Sequence, residues 1–525
     1  MRFTSWAFLA FLAVLLPIYY LAPKRGQWIV LLLANAVFYA FAGLLGVVFM
    51  LVTIASAYGV SRILDASLVR QAETLSAMKA QGQDKDARKA VRQKMERGRR
   101  LWLVACLVLN FGILFAMKYG AAAMGLFTQL FALPNGTAEL ALTMGASFYT
   151  FSTMGYLLDV HRGTLRAERN PFRLALFTSF FPLLVQGPIC RFQTLGETLF
   201  APHRFSGEAF YRGLVRILWG YWKKLLIAER LIGAVRTIAG DPEAYRGAYV
   251  FLGMLLYAAC LYADFTGGID ITIGVGELFG VRIEENFLRP YFSKSIAEYW
   301  RRWHITLGLW FKEYVYYPLS VSTPLRRLTQ ACRRLGDGFA RRVPVYLATL
   351  VVWTITGMWH GNSWNFVVWG LLNGVVILLS EELSPLYRRF HTAFPRLKGS
   401  VGYRLFSVLR TILLLSSLRI LDCYATVGAS FRAFGSLFST WNWRSLPVGM
   451  QTLGLSWADY GVVLLGVALM TIVSLLNRKE SIRDRLQQRA LWVRLTVVCV
   501  LGCTILVFGR YGFGFDVGQF IYNRY

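Results

Sequence analysis

Long apolar runs set the pattern of this chain. A helix that crosses a bilayer needs about 20 mostly apolar residues. Runs of this kind recur along the sequence: Phe3–Leu21, Trp28–Phe41, Leu44–Val60, Leu101–Met117, Leu140–Val160, Leu174–Ile189, Leu214–Ile238, Tyr249–Phe265, Val343–Trp359, Val367–Leu383, Leu405–Leu421, Tyr460–Leu476 and Trp492–Phe508. Several are short or interrupted by Gly and Pro. That predicts re-entrant segments, which are tolerated only where they are buried in protein or line a cavity. The expected fold class is all-α: a polytopic transmembrane helical protein of about eleven spans, with re-entrant and interfacial helices. The first run ends in Pro17, Tyr19 and Tyr20 without a small-residue cleavage site. It is expected to be a retained helix rather than a signal peptide.

The polar segments sort by charge. Ser61–Arg100 carries eleven Lys and Arg against five acids, Val281–Arg342 carries twelve, Leu383–Arg404 five and Arg478–Arg494 six. Pro134–Leu140 carries none, and Asp422–Ala458 only Arg432 and Arg444. The basic segments are expected on the cytoplasmic side and the neutral ones outside. Ser61–Arg100 is rich in Ala, Gln, Lys, Arg and Glu and predicts a charged helix or hairpin between spans. The expected division is an N-terminal helical region 1–140 with a basic cytoplasmic loop at 61–100, a core 141–380, and C-terminal helices 381–525.

Composition narrows the class further. Among 525 residues, 56% are apolar and 16% charged, against about 25% charged in soluble domains. One soluble core cannot absorb that apolar excess, so a disordered chain and a disulfide-stapled secreted module are excluded. The net charge of +29 fits loops facing anionic lipid headgroups, and no nucleic-acid partner is expected. Seven scattered cysteines form no CxxC pair and no zinc spacing with His, so no metal site is expected.

Candidate chemistry concentrates in two stretches. The first holds Tyr262, Asp264, Phe265 and Asp270, then Glu284, Glu285, Asn286 and Phe287, then Tyr299, Trp300, Arg301, Arg302, Trp303 and His304. Acids at membrane depth are costly and usually have a partner or a function. Asp264 and Asp270 are therefore read either as caps or partners of cations, or as working groups. On a continuous helix, Trp300, Trp303, His304, Leu307, Trp310, Phe311 and Tyr314 would share one stripe, which predicts an interfacial amphipathic helix. The second stretch carries Trp359, His360, Gly361, Asn362 and Asn365 at the end of a span. An imidazole there can move a proton near neutral pH, and its Gly neighbour leaves room for a ligand. The chain has five His; His161, His203 and His391 lie in basic sequence and are expected at the surface. His304 and His360 remain as the buried pair.

The succession Tyr-x-Asp-Phe, Glu-Asn-Phe, Tyr-Trp-Arg-Arg-Trp-His, Tyr-x-Tyr-x-Pro-Leu and Trp-His-Gly resembles the membrane-bound O-acyltransferase family. Within it, the chain is similar to the bacterial branch of alginate O-acetylation and teichoic-acid D-alanyl transfer. Ser147–Phe151, Phe181–Ile189 and the closing Phe520, Ile521 and Tyr522 add to the likeness. Gly267, Gly268 and Ile269 stand where Gly-Tyr-Ser is more usual, and the region after Leu405 matches poorly.

The resemblance implies helices around a central tunnel, with His360 as the essential histidine and His304 as a second one toward the cytoplasm. His360 would act as general base or carry the acyl group transiently. His304 would position the donor or support the tunnel. Trp300, Arg301, Arg302 and Trp303, with Asp264, Asp270, Asn286, Trp359, Asn362 and Asn365, are candidates for substrate binding or tunnel lining.

The expected activity is transfer of an acyl group, acetyl first, from a cytoplasmic thioester to an extracytoplasmic polysaccharide. The donor would be acetyl-CoA or an acyl-carrier protein, with no tightly bound cofactor. A separate extracytoplasmic acetyltransferase is an expected partner, and the expected location is the cell membrane. The alternatives are D-alanyl transfer to teichoic acid and a lipid-linked glycan transporter without acyl chemistry. Transporters of the latter kind are often built from related halves, and none are visible here.

Overall fold

The computed structural model describes residues 3–41, 43–130, 145–478 and 480–511, with side chains of 121–130 not described. The expected outward segment Pro134–Leu140 and the closing Phe520, Ile521 and Tyr522 lie outside the described residues. Among the described residues the protein is helical and has no strand; Phe287 and Trp303 form a lone antiparallel bridge. Among the described residues, seven helices are long and apolar enough to cross a membrane: Leu44–Ala80, Lys85–Gly120, Ala248–Leu278, Asp337–His360, Trp364–Glu382, Trp457–Leu476 and Leu491–Phe508. Trp6–Leu21 and the broken segment Pro171–Gln186 are shorter apolar helices. The protein is an all-α polytopic membrane protein.

The chain forms two compact units, Met1–Phe210 with Val275–Glu284, and Tyr211–Gly274 with Glu285–Tyr525. In the first, the expected basic hairpin is present. Helices Leu44–Ala80 and Lys85–Leu130 meet at a tight turn through Gly82, whose φ of 69° suits glycine. The 37 residues of the first helix span about 55 Å at 1.5 Å per residue, well beyond the ~30 Å of a hydrocarbon core. Its charged end therefore projects into water.

The run Leu174–Ile189 is interrupted as its Pro content foretold. Helix Pro171–Ser179 gives way to Phe181–Gln186, with Pro182 in the first turn. Buried Asn35 spans the break, donating to Ser179 Oγ at 3.1 Å and accepting from the Phe181 amide at 3.0 Å. Backbone groups freed inside an apolar interior are thereby satisfied.

The second unit holds most of the candidate chemistry. Helix Gly207–Trp222 runs into a π-helical stretch Lys223–Ala228 and then Glu229–Gly240. It packs closely on Ala248–Leu278: a Cβ at Gly220 would sit 2.6 Å from Gly267 O, and one at Gly274 would sit 2.8 Å from Gly213 O. Helices Asp337–His360 and Trp364–Glu382 use the same device. A Cβ at Gly370 would lie 2.3 Å from Trp353 O, and one at Gly357 would lie 2.3 Å from Phe366 O. Small residues let helix backbones meet where lipid gives no hydrophobic drive for association.

One sequence expectation is corrected. Residues 300–314 are not one amphipathic helix. Helix Ile296–Trp300 stops, His304 takes a left-handed conformation with φ 48°, and a new helix Ile305–Phe311 begins. The strand-like pairing of 286–288 with 302–305 forces that break. Leu288 N donates to Arg302 O at 2.9 Å and Ile305 N to Asn286 O at 3.0 Å.

Gly370→Val is expected to destabilise the protein by about 1–3 kcal/mol, because backbone rather than a yielding side chain opposes the new atoms. Gly402→Ala has open space around it and is expected to be neutral or slightly stabilising. Thermal unfolding of both variants in one detergent checks the contrast.

Candidate active site

The buried acids define the frame of the site. Asp264 is paired with Lys224 at 2.5 Å, and Lys224 also reaches Glu229 at 2.6 Å. Asp270 is held by Lys223 at 2.6 Å and Arg216 at 2.9 Å. Arg216 in turn grips both oxygens of Glu285 at 2.6 Å. Of the two readings open for Asp264 and Asp270, the structure supports partners of cations. Removing one member of such a buried pair typically costs about 3–5 kcal/mol, because a bare charge is left behind.

Glu285 leads into Asn286, which is fully buried. Asn286 Oδ1 accepts from Thr306 N at 3.1 Å and Thr306 Oγ1 at 3.0 Å, and lies 3.3 Å from His304 Nδ1. An oxygen that already accepts two hydrogen bonds faces a donor on the imidazole. Nδ1 therefore carries the His304 proton and Nε2 the lone pair. Burial pushes the His304 pKa down to about 3, so the ring is neutral at physiological pH.

Aromatic rings connect the two histidines. Trp359 has its ring centre 5.8 Å from His304 and 4.8 Å from His360, so one indole contacts both imidazoles. Phe265 closes the other side of His304 at 5.0 Å. Trp369 lies 4.8 Å from His360 at a steep angle, and Phe366 stacks more distantly at 6.4 Å. His360 is the last residue of its helix and is 5% exposed.

A cation that sequence reasoning passed over stands beside this pair. The Arg419 guanidinium lies 4.9 Å from the Trp369 ring, 5.5 Å from Trp303 and 5.7 Å from Trp300. Asp422 pairs with it at 2.8 Å and accepts from Tyr257 OH at 3.4 Å. Asn365 holds the same turn, donating to Leu421 O at 3.1 Å and Tyr424 O at 2.6 Å. The available signal was an Arg and an Asp three residues apart at the end of an apolar run, where charge is costly.

The predicted residues thus divide. His304, His360, Trp300, Trp303, Trp359 and Asn286 form one connected group. Asn365 is committed to backbone carbonyls beside that group. Asp264 and Asp270 frame it. Arg302 pairs with Glu298 at 2.6 Å, while Arg301 and Asn362 are exposed. The three remaining histidines are half-buried rather than open surface; His203 bonds Thr198 O at 2.7 Å and His391 bonds Tyr403 OH at 2.9 Å.

Residues 139–331 match the family model described as MBOAT, membrane-bound O-acyltransferase family. A "Probable alginate O-acetylase" of Azotobacter vinelandii is 32% identical over 393 residues, covering 73% of this chain and 69% of that protein. The chain belongs to the membrane-bound O-acyltransferase family. This acyltransferase is also 29% identical over 327 residues to a peptidoglycan O-acetyltransferase of Helicobacter pylori, covering 57% of this chain and 59% of that one. With a teichoic acid D-alanyltransferase of Bacillus subtilis it shares 26% over 243 residues, covering 45% and 58%. The family match includes His304, whereas His360 lies beyond it. Membership removes the reading of a transporter without acyl chemistry.

The neutral His304 makes a signed prediction. Above about pH 6.5 neither the folded nor the unfolded chain protonates this ring. As pH falls further, the unfolded chain takes up a proton that the buried ring refuses, so stability drops until about pH 3. From about pH 7.5 to about pH 5, wild type is expected to lose roughly 2 kcal/mol more stability than His304→Gln. Unfolding followed at both pH values for both proteins checks it.

Proposed function

We propose that this acyltransferase moves an acetyl group from a cytoplasmic thioester toward O-acetylation of an extracytoplasmic polysaccharide, from a site in the cell membrane. The observation that carries the reading is the His360 imidazole. It is buried, it ends a span, and it shares one indole with a second, neutral imidazole. The relatives named for alginate and peptidoglycan O-acetylation support acetyl as the group and a glycan as the acceptor. The matches to D-alanyl transfer proteins cover less of the chain at lower identity, which makes that chemistry the second reading.

The reaction has two proton movements. His360 takes the proton of an acceptor hydroxyl as its oxygen attacks the thioester carbonyl. The tetrahedral adduct then collapses, the C–S bond breaks, and the leaving sulfur receives that proton. Backbone carbonyl dipoles at the end of the His360 helix favour the positive charge the ring holds in between. In the alternative order, His360 attacks the carbonyl itself, the thiol leaves, and the hydroxyl then takes the acyl group from nitrogen.

Aromatic walls keep water from competing with the acceptor. Exposed Arg301 and its basic neighbours supply charge for donor phosphates, acetyl-CoA or an acyl-carrier protein. His304, locked by Asn286, braces Trp359 against His360. A separate extracytoplasmic transferase would complete delivery to the polymer.

His360→Ala is expected to lower glycan acetylation by about 100-fold or more at matched protein abundance, the usual contribution of a general base. Mass spectrometry of surface glycans from cells carrying each form checks it. Acetyl content near the wild-type level would overturn the assignment.

A further inference from the structure

A cavity of about 550 Å³ lies at the edge of the second unit, lined in part by the last turns of span Trp364–Glu382 and the first turns of helix Val401–Leu418. That is within the usual range for a bound organic ligand, about 300–1,000 Å³. Its polar wall carries Lys294, Lys398, Arg404 and Arg410, with no carboxylate in the lining. Among the described residues none of these four cations forms an ion pair. Two are fixed by backbone: Arg410 donates to Lys294 O at 2.8 Å and Arg404 to Gly399 O at 3.0 Å. The lining also includes apolar side chains, Val376, Leu379, Ile296 and Leu414.

Four cations that form no ion pair, with no carboxylate in the lining, suit an anion with more than one acceptor oxygen. The apolar wall asks that the anion carry hydrocarbon. The surroundings name the source. The other face of helix Val401–Leu418 exposes Leu405, Phe406 and Leu409, each at least half exposed, which is the surface a lipid-facing helix presents. Segment Leu383–Arg404 is one of the basic segments expected on the cytoplasmic face, where the leaflet is anionic.

We propose that this cavity binds an anionic phospholipid, with its phosphate on Lys294, Lys398, Arg404 and Arg410 and its first acyl carbons on the apolar wall. Lys294 and Ile296 flank Ser295, whose hydroxyl caps helix Ile296–Trp300 by accepting from Glu298 N at 3.2 Å. The other end of that helix presents Trp300 to Arg419 and Trp369. A bound headgroup therefore steadies the turn that leads into the histidine site. The binding claim does not depend on which acyl group the enzyme transfers.

Native mass spectrometry tests it on purified full-length protein titrated with phosphatidylglycerol or phosphatidylcholine. Wild type is expected to retain phosphatidylglycerol about tenfold better than phosphatidylcholine, and Lys294→Gln/Lys398→Gln to lose most of that preference. Both lysines are exposed, so the double variant leaves the core untouched. The wild-type lipid comparison needs no variant at all. Equal retention of the two lipids by wild type, or an unchanged preference in the double variant, overturns the proposal. A third arm adds coenzyme A or inorganic phosphate. Displacement of the lipid at micromolar concentration would assign the cations to a soluble phosphate and overturn the lipid reading; failure to displace it supports the lipid.

Discussion

Charge inside an apolar interior must be answered by charge, and that constraint organises the second unit. Asp264 and Asp270 lie on a long buried helix where an isolated carboxylate would be prohibitively costly. Lys223, Lys224 and Arg216 answer them from a neighbouring segment. The pairs are close because glycines let the two backbones approach; a side chain at Gly220, Gly267 or Gly274 would push the helices apart. Helix packing and ion pairing are therefore one device. The first sets the distance, and the second makes that distance the only tolerable one.

The same device extends outward to the site. Arg216 reaches beyond Asp270 to grip Glu285 with both nitrogens. The next residue, Asn286, orients His304 and starts helix Ile305–Phe311 by taking two hydrogen bonds from Thr306. His304 meets Trp359, and Trp359 meets His360. A left-handed backbone at a non-glycine residue costs about 1–2 kcal/mol. At His304 that cost is offset by the Asn286 pairing, and the gain is a ring aimed inward from between two short helices.

Much of this was legible from residue pattern. Apolar runs located the long helices, charge located the hairpin near residues 61–100, and the scarcity of histidine singled out positions 304 and 360. The amphipathic stripe from Trp300 to Tyr314 misled, because its spacing suits a helix while Asn286, far back in the chain, imposes a break. The acids were noticed, but their partners Arg216, Lys223 and Lys224 lie within the apolar run Leu214–Ile238, and no local spacing ties them to Asp264 or Asp270. Arg419 was hidden for the same reason. Its significance comes from Trp300, Trp303 and Trp369, and a cage assembled from residues more than a hundred positions apart in places leaves no local pattern.

The cage also bears on how the proposed acyl transfer site is kept dry without being inert. Indole rings exclude water, yet their faces carry partial negative charge and accept a guanidinium. Arg419 thus gains attractive surroundings, and Asp422, itself held by Tyr257 OH, anchors it. Asn365 fixes the turn that carries both charges. The guanidinium and the His360 imidazole lie against the same Trp369 ring, 4.9 and 4.8 Å from its centre, so the cation stands one indole away from the proposed reaction centre. Replacing the tryptophans by polar residues would hydrate the cation and weaken its field. Replacing the arginine would leave Asp422 buried and uncompensated. Each half of the arrangement thus stabilises the other, which lets an arginine sit buried in an apolar run.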